Sequence, residues 1–131
     1  MPNQNTLKLT VGYSLSALLL TLGLTGIAQP TTISNLLGLP ISDQSNGAAL
    51  TQLLSGRHLT MGAANTAFLM SGNLEAAGLF TIVMALDGLV DGWVNWTRFG
   101  FGSAAPHFVG MIVFPWVGAW MRRAGKGGVA K

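Results

Sequence analysis

The sequence predicts an all-α fold, a transmembrane four-helix bundle with short turns and one longer outer loop, and three observations predict it. Half of the 131 residues are hydrophobic. Only 8% are charged, where an ordinary soluble domain carries about 25%. The apolar residues fall into four runs, at about 7–28, 50–71, 74–97 and 104–121, each near the ~20 residues that cross ~30 Å of hydrocarbon. The chain, 1–131, therefore reads as a single transmembrane domain with no room for a separate soluble one.

The first run, LKLTVGYSLSALLLTLGLTGIA, has Lys8 at its entry and Pro30 just past its end, where a helix is expected to stop. It ends on small residues, Gly26 and Ala28, that also suit signal-peptide cleavage. A single positive side chain and a long apolar run favour a retained anchor over a leader. The stretch 30–50 carries Pro30, Pro40, Ser42, Asp43, Asn46 and Gly47 and reads as the long loop, in which TTISNLLGL has the makings of a short interfacial helix. The second span carries Gly56, Gly62, Ala63 and Ala64, small residues that let membrane helices approach closely.

Ser71-Gly72-Asn73 reads as a tight turn that sends the third span back beside the second, and RFGFGS (98–103) turns the chain into the fourth. Pro115 is expected to kink that last helix. Four spans leave both termini on one side, and Lys8, Arg122, Arg123, Lys126 and Lys131 make that side cytoplasmic under the positive-inside rule. Trp93 and Trp96 then lie at the outer interface and Trp116 and Trp120 toward the inner one, as aromatic belts.

The formal charge is +3, but the basic residues crowd the C-terminus instead of interleaving with aromatics, so nucleic acid is not an expected partner. Cysteine is absent, which excludes disulfides and thiol chemistry. No Gly-rich cofactor fingerprint is present, and no cofactor is expected. Two histidines without an H-E-x-x-H arrangement argue against a metal site.

The segment ALDGLVDGWVNW (85–96) carries the chemistry. Asp87 and Asp91 are spaced i, i+4 and share a helix face, roughly 15 and 9 Å below the outer end of the third helix. Ionisable groups at such depth face a bundle interior or a water-filled cavity. Arg57 and His58, about two turns into the second helix, and His107, about one turn into the fourth, fall in the same outer half. About 100° separates Arg57 from His58 on their helix, so at most one of them faces the acids squarely.

Asp87, Asp91, Arg57 and His107 are therefore the candidate catalytic residues, with a structural ion pair as the plainer alternative. Arg98 reads as a snorkelling interfacial cation, His107 equally as a helix-end cap, and Asn65 as an interhelical hydrogen bonder. The Asn95-Trp96-Thr97 sequon is a weak glycosylation signal at a helix end. Glu75 stands alone near the inner end, and Gly88 and Gly92 form a small-residue stripe for a neighbouring helix or a second protein.

GRHLTMG (56–62), NLEAAGLFTIVMALDGLVDGW (73–93) and APHFVGMIVFPWVGAW (105–120) together resemble a family of small four-helix membrane proteins of unknown function, in the DoxX-like group, found in bacteria and filamentous fungi. The resemblance covers about 30–121 and implies roles for Arg57, for Asp87 or Asp91, and for His107. In that family an acid often follows the arginine, where this chain has His58. Three functions stay open. One is binding or acid/base transformation (isomerisation, cyclisation or epoxide opening) of a lipophilic small molecule. The second is a non-catalytic accessory subunit or homo-oligomer joined through Gly88 and Gly92 in the lipid bilayer, and the third is a proton-coupled transporter.

Overall fold

The computed structural model describes residues 4–39, 41 and 46–123. Pro40, Ser42 and Asp43 of the anticipated loop, and Lys126 and Lys131 of the basic cluster, lie outside the described residues. Every regular element within them is helical: α1 (Gln4–Ala28), α2 (Pro30–Leu36), α3 (Asn46–Met70), α4 (Leu74–Val83), α5 (Ala85–Phe99) and α6 (Phe101–Arg122). By length and composition three stretches can cross a membrane: Gln4–Ala28, Leu74–Phe99 and Phe101–Arg122. They point to an integral membrane protein, with a lipid environment for the many exposed leucines, valines and tryptophans. α3 is as long as α1, 25 residues, and less apolar.

The helices pack as two antiparallel pairs. Along α1 the numbers rise as those on α3 fall: Gly12 lies against Leu69, Leu20 against Gly62, Gly23 against Leu59 and Gly26 against Ser55. Small residues on both partners allow this approach, and without a hydrophobic driving force in lipid it is packing and polar contacts that hold such a pair. Asn65 supplies the polar contact that its position predicts: fully buried, it donates from Nδ2 to the Gly12 carbonyl (3.2 Å) and to Ser16 Oγ (2.9 Å) on α1. α1 is thus an integral part of the folded unit.

The second pair sets α4 and α5 against α6. Asn73 caps α4 by accepting from the Ala76 N–H at 2.9 Å, which satisfies one of the four free donors at a helix start. The rod is interrupted at Met84, whose carbonyl accepts from the Asp87 N–H at 3.2 Å in a tighter i to i+3 turn. α6, by contrast, continues through Pro106 and Pro115. The two pairs join at the Ser71–Asn73 end, where Leu69, Ala77 and Met121 form a buried core flanked by Phe68 and Trp120.

Several expectations are corrected. The RFGFGS stretch is not a loop, because Gly100 alone makes the turn at φ +88° and helix resumes at Phe101. Only a residue without a Cβ adopts that conformation cheaply. Helix α3 begins at Asn46 and not near residue 50, whereas α2 forms where a short helix was expected in the long loop. Glu75 is not isolated, since its Oε1 lies 3.7 Å from an Arg122 guanidinium nitrogen. Lys8, in the first turns of α1, is 3% exposed, with Nζ 5.3 Å from the centre of the Trp120 ring. Trp120 is accordingly packed inward, whereas Trp116, Trp93 and Trp96 are exposed.

The Gly88 and Gly92 stripe is already occupied by the chain itself. A Cβ on Gly88 would stand 2.9 Å from the His107 carbonyl oxygen, and one on Gly92 would stand 2.6 Å from the Phe108 ring. These glycines seat α6 on α5 and leave that stripe unavailable to a second protein.

Candidate functional site

Helix α5 is sharply two-faced. Leu86, Leu89, Val90, Trp93 and Val94 are exposed on one side, while Gly92 and Asn95 are buried on the other and Asp87 and Asp91 lie half-buried beside them. The i, i+4 spacing that makes Asp87 and Asp91 neighbours extends to Asn95, so three polar side chains run down the inner face. Across the gap between the pairs stands Arg57 on α3. One terminal nitrogen lies 3.1 Å from Asp87 Oδ1 and the other 2.9 Å from Asp91 Oδ2.

A planar guanidinium presents its donors as a fixed fork, and here the fork spans two carboxylates one helical turn apart. The bridge links α3 to α5 in the half of the molecule away from the Leu69–Met121 core. All three side chains keep about 30% of their surface open (31% for Arg57, 27% for Asp87, 30% for Asp91). They are therefore reachable, not sealed in a dry interface.

The two carboxylates line a cavity of about 190 Å³ between the helix pairs. Its walls are mostly apolar, with Leu18 and Leu22 from α1, Leu37 after α2, Met61 from α3, Met84 at the α4–α5 junction and Phe114 from α6. Four polar side chains share the lining: His58, Asp87, Asp91 and His107. The volume slightly exceeds the ~150 Å³ of an apolar cavity known to take up benzene. A few placed polar groups in an apolar concavity is the usual make-up of a small-molecule site.

The structure thus brings Arg57, Asp87, Asp91 and His107 to one place. His58 lines the same cavity without joining the ion pair, and its Nδ1 is buried with no hydrogen-bond partner among the described residues. Arg98 is exposed at the end of α5 and forms no ion pair among the described residues. Among those residues no group of three or more His, Asp or Glu side chains is placed to hold a metal ion.

Asn95 was singled out by its sequence only as a sequon and belongs here instead. It is 2% exposed, donates from Nδ2 to the Asp91 carbonyl at 2.9 Å and has the same nitrogen 3.4 Å from His107 Nε2. An amide so enclosed is no glycosylation acceptor. Its position four residues after Asp91 was the available signal. The leucines of α1 and Leu37 carried none, because an apolar residue facing a cavity looks like one facing lipid.

The family profile of a domain of unknown function (DUF4267) matches residues 16–121. The chain belongs to that family. The matched region takes in α2 through α5, most of α1 and nearly all of α6, and hence every residue of the cavity wall. No curated protein and no solved structure matches the chain. Membership in the DUF4267 family assigns no reaction, so function has to be argued from the cavity.

Proposed function

We propose that this chain is a membrane-embedded protein that binds a lipophilic small molecule in the cavity between its helix pairs and carries out acid/base chemistry on it. One observation carries the reading: an Asp87–Arg57–Asp91 bridge, about 30% open, whose two carboxylates share with His58 and His107 the wall of a mostly apolar cavity of about 190 Å³. A purely structural ion pair has no need of open space beside it, and burying one costs desolvation that its geometry must offset. This one faces a space where a ligand fits.

In this reading the four long rods form a four-helix transmembrane bundle, with α3 as the fourth span and the chain as one domain of DoxX-like type. α3 tolerates its polar content because Arg57, His58 and Asn65 face protein or cavity and not lipid. Both termini are cytoplasmic, and the cavity lies in the outer half, roofed by the segment after α2. Leu37 of that segment lines the cavity and Gly38 sits on Ser103 of α6.

The chemistry follows from the spacing. Two carboxylates one turn apart let one give a proton to a ligand atom while the other takes one, and the guanidinium between them holds both in register. His107, on the cavity wall, also stabilises negative charge developing on the ligand. Isomerisation, cyclisation and epoxide opening of an apolar metabolite all need this pairing of acid and base. Membrane vesicles bearing the wild-type protein, incubated with an apolar extract of the source membranes, are expected to change the extract's composition. Asp87→Asn and Asp91→Asn are each expected to abolish the change while the protein stays folded. Undiminished conversion by both variants would contradict the proposal.

A further inference from the structure

The hydrogen bonds around Asn95 fix the chemistry of His107. Asn95 lies four residues after Asp91 on α5, and its Nδ2 is 2.9 Å from the Asp91 carbonyl oxygen. A carbonyl only accepts, so the nitrogen of the amide, not its oxygen, points that way; turning the amide over would set two oxygens against each other. The second hydrogen on Nδ2 is then directed at His107 Nε2, 3.4 Å away. To accept it, Nε2 presents its lone pair, and the ring's proton sits on Nδ1. Nδ1 makes no hydrogen bond among the described residues, and the ring lines the cavity.

Of the other polar groups of the wall, Asp87 and Asp91 accept from the terminal nitrogens of Arg57, while the unpartnered Nδ1 of His58 is itself buried and not presented to the space. With its proton on Nδ1, the His107 ring is thus a donor with no acceptor among the described residues, beside a mostly apolar space that holds a molecule of roughly benzene size or somewhat more.

We infer that the cavity selects lipophilic molecules carrying one hydrogen-bond-accepting oxygen, such as a ketone or cyclic ether, through the Nδ1–H of a neutral His107 whose tautomer Asn95 holds. The inference deepens the proposed ligand site and rests on it. Asn95 acts through His107 and is a positioning residue. An oxygen accepting from Nδ1–H is polarised from the side opposite Nε2 and is held next to the two carboxylates, where a proton is given or taken. An unsubstituted hydrocarbon of the same shape leaves that donor unpaired in an apolar wall, which disfavours it.

Two measurements test this on the full-length protein in detergent micelles. The first is the ¹⁵N spectrum of histidine-labelled protein, in which two histidines give two ring systems, assigned with a His58→Gln variant. His107 is expected to show Nδ1 protonated and Nε2 bare; the reverse pattern overturns the inference with no need for a folded Asn95 variant. The second is the binding of a matched pair, menthone and p-menthane, which differ by one carbonyl. Menthone is expected to bind on the order of tenfold more tightly, and Asn95→Leu is expected to remove that preference while p-menthane still binds. Equal binding of the two by the wild type, or a preference that survives Asn95→Leu, overturns the inference and leaves the cavity reading standing. Binding of neither compound contradicts the cavity reading itself, and the inference with it.

Discussion

At the scale of single residues, Arg57 decides how the two acids are tolerated. Removing a partner from an enclosed ion pair leaves charge in a medium that solvates it poorly, which costs about 3–5 kcal/mol when burial is complete. With about 30% of each side chain open, Arg57→Met is expected to cost about 2 kcal/mol, more than either Asp→Asn change. The triple variant Arg57→Met, Asp87→Asn, Asp91→Asn is expected to recover most of that loss, as thermal unfolding in detergent will show. A triple variant no more stable than Arg57→Met would mean that the three charges do not act as one coupled unit. Asp87, Asp91 and Arg57 were legible in the sequence because charge in an apolar run is costly and i, i+4 spacing fixes a common face. Glu75 was misread, and the burial of Lys8 went unseen, for a related reason. Their partners, Arg122 and Trp120, come from the far end of the chain, and nothing in the local sequence announces them.

At the scale of elements, α5 and α6 both line the cavity, and the glycines along them are not equivalent. A Cβ at Gly88 meets backbone, the His107 oxygen at 2.9 Å and the Met111 nitrogen at 3.1 Å, and neither yields without separating the helices. At Gly92 the obstacle is the Phe108 ring, a side chain able to swing aside. Gly110 meets only the Phe114 ring, at 3.9 Å. Gly88→Ala is therefore expected to destabilise by about 1–3 kcal/mol, Gly92→Ala by less, and Gly110→Ala hardly at all, in the same unfolding assay. An equal effect at all three positions would refute the close α5–α6 packing. The long apolar runs made the helices themselves visible in the sequence. Their ends were less so: the single-residue turn at Gly100 looked like a six-residue loop, and the interruption at Met84 has no proline or glycine to mark it.

At the scale of the molecule, the pairing α1 with α3 and α4–α5 with α6 leaves a space that only the assembled chain encloses, which is why sequence periodicity revealed its acids but not its shape. The proposed orientation is open to a direct check because the chain has no cysteine of its own. Ser71→Cys, at the turn after α3, is expected to react only from the cytoplasmic side, and Gly102→Cys, at the start of α6, only from the outside, toward a membrane-impermeant maleimide. Labelling of both from one side would contradict the four-span topology.

The central claim is that the cavity holds a ligand. Gly110 lines it with room beyond its Cα, so Gly110→Leu fills the space from a position that tolerates a side chain. Wild-type and Gly110→Leu protein purified side by side from membranes, and extracted for mass spectrometry of apolar small molecules, make the most direct test. A lipophilic compound retained near one per chain by the wild type and absent from the folded variant is the predicted result. Identical extracts from the two proteins would contradict the account.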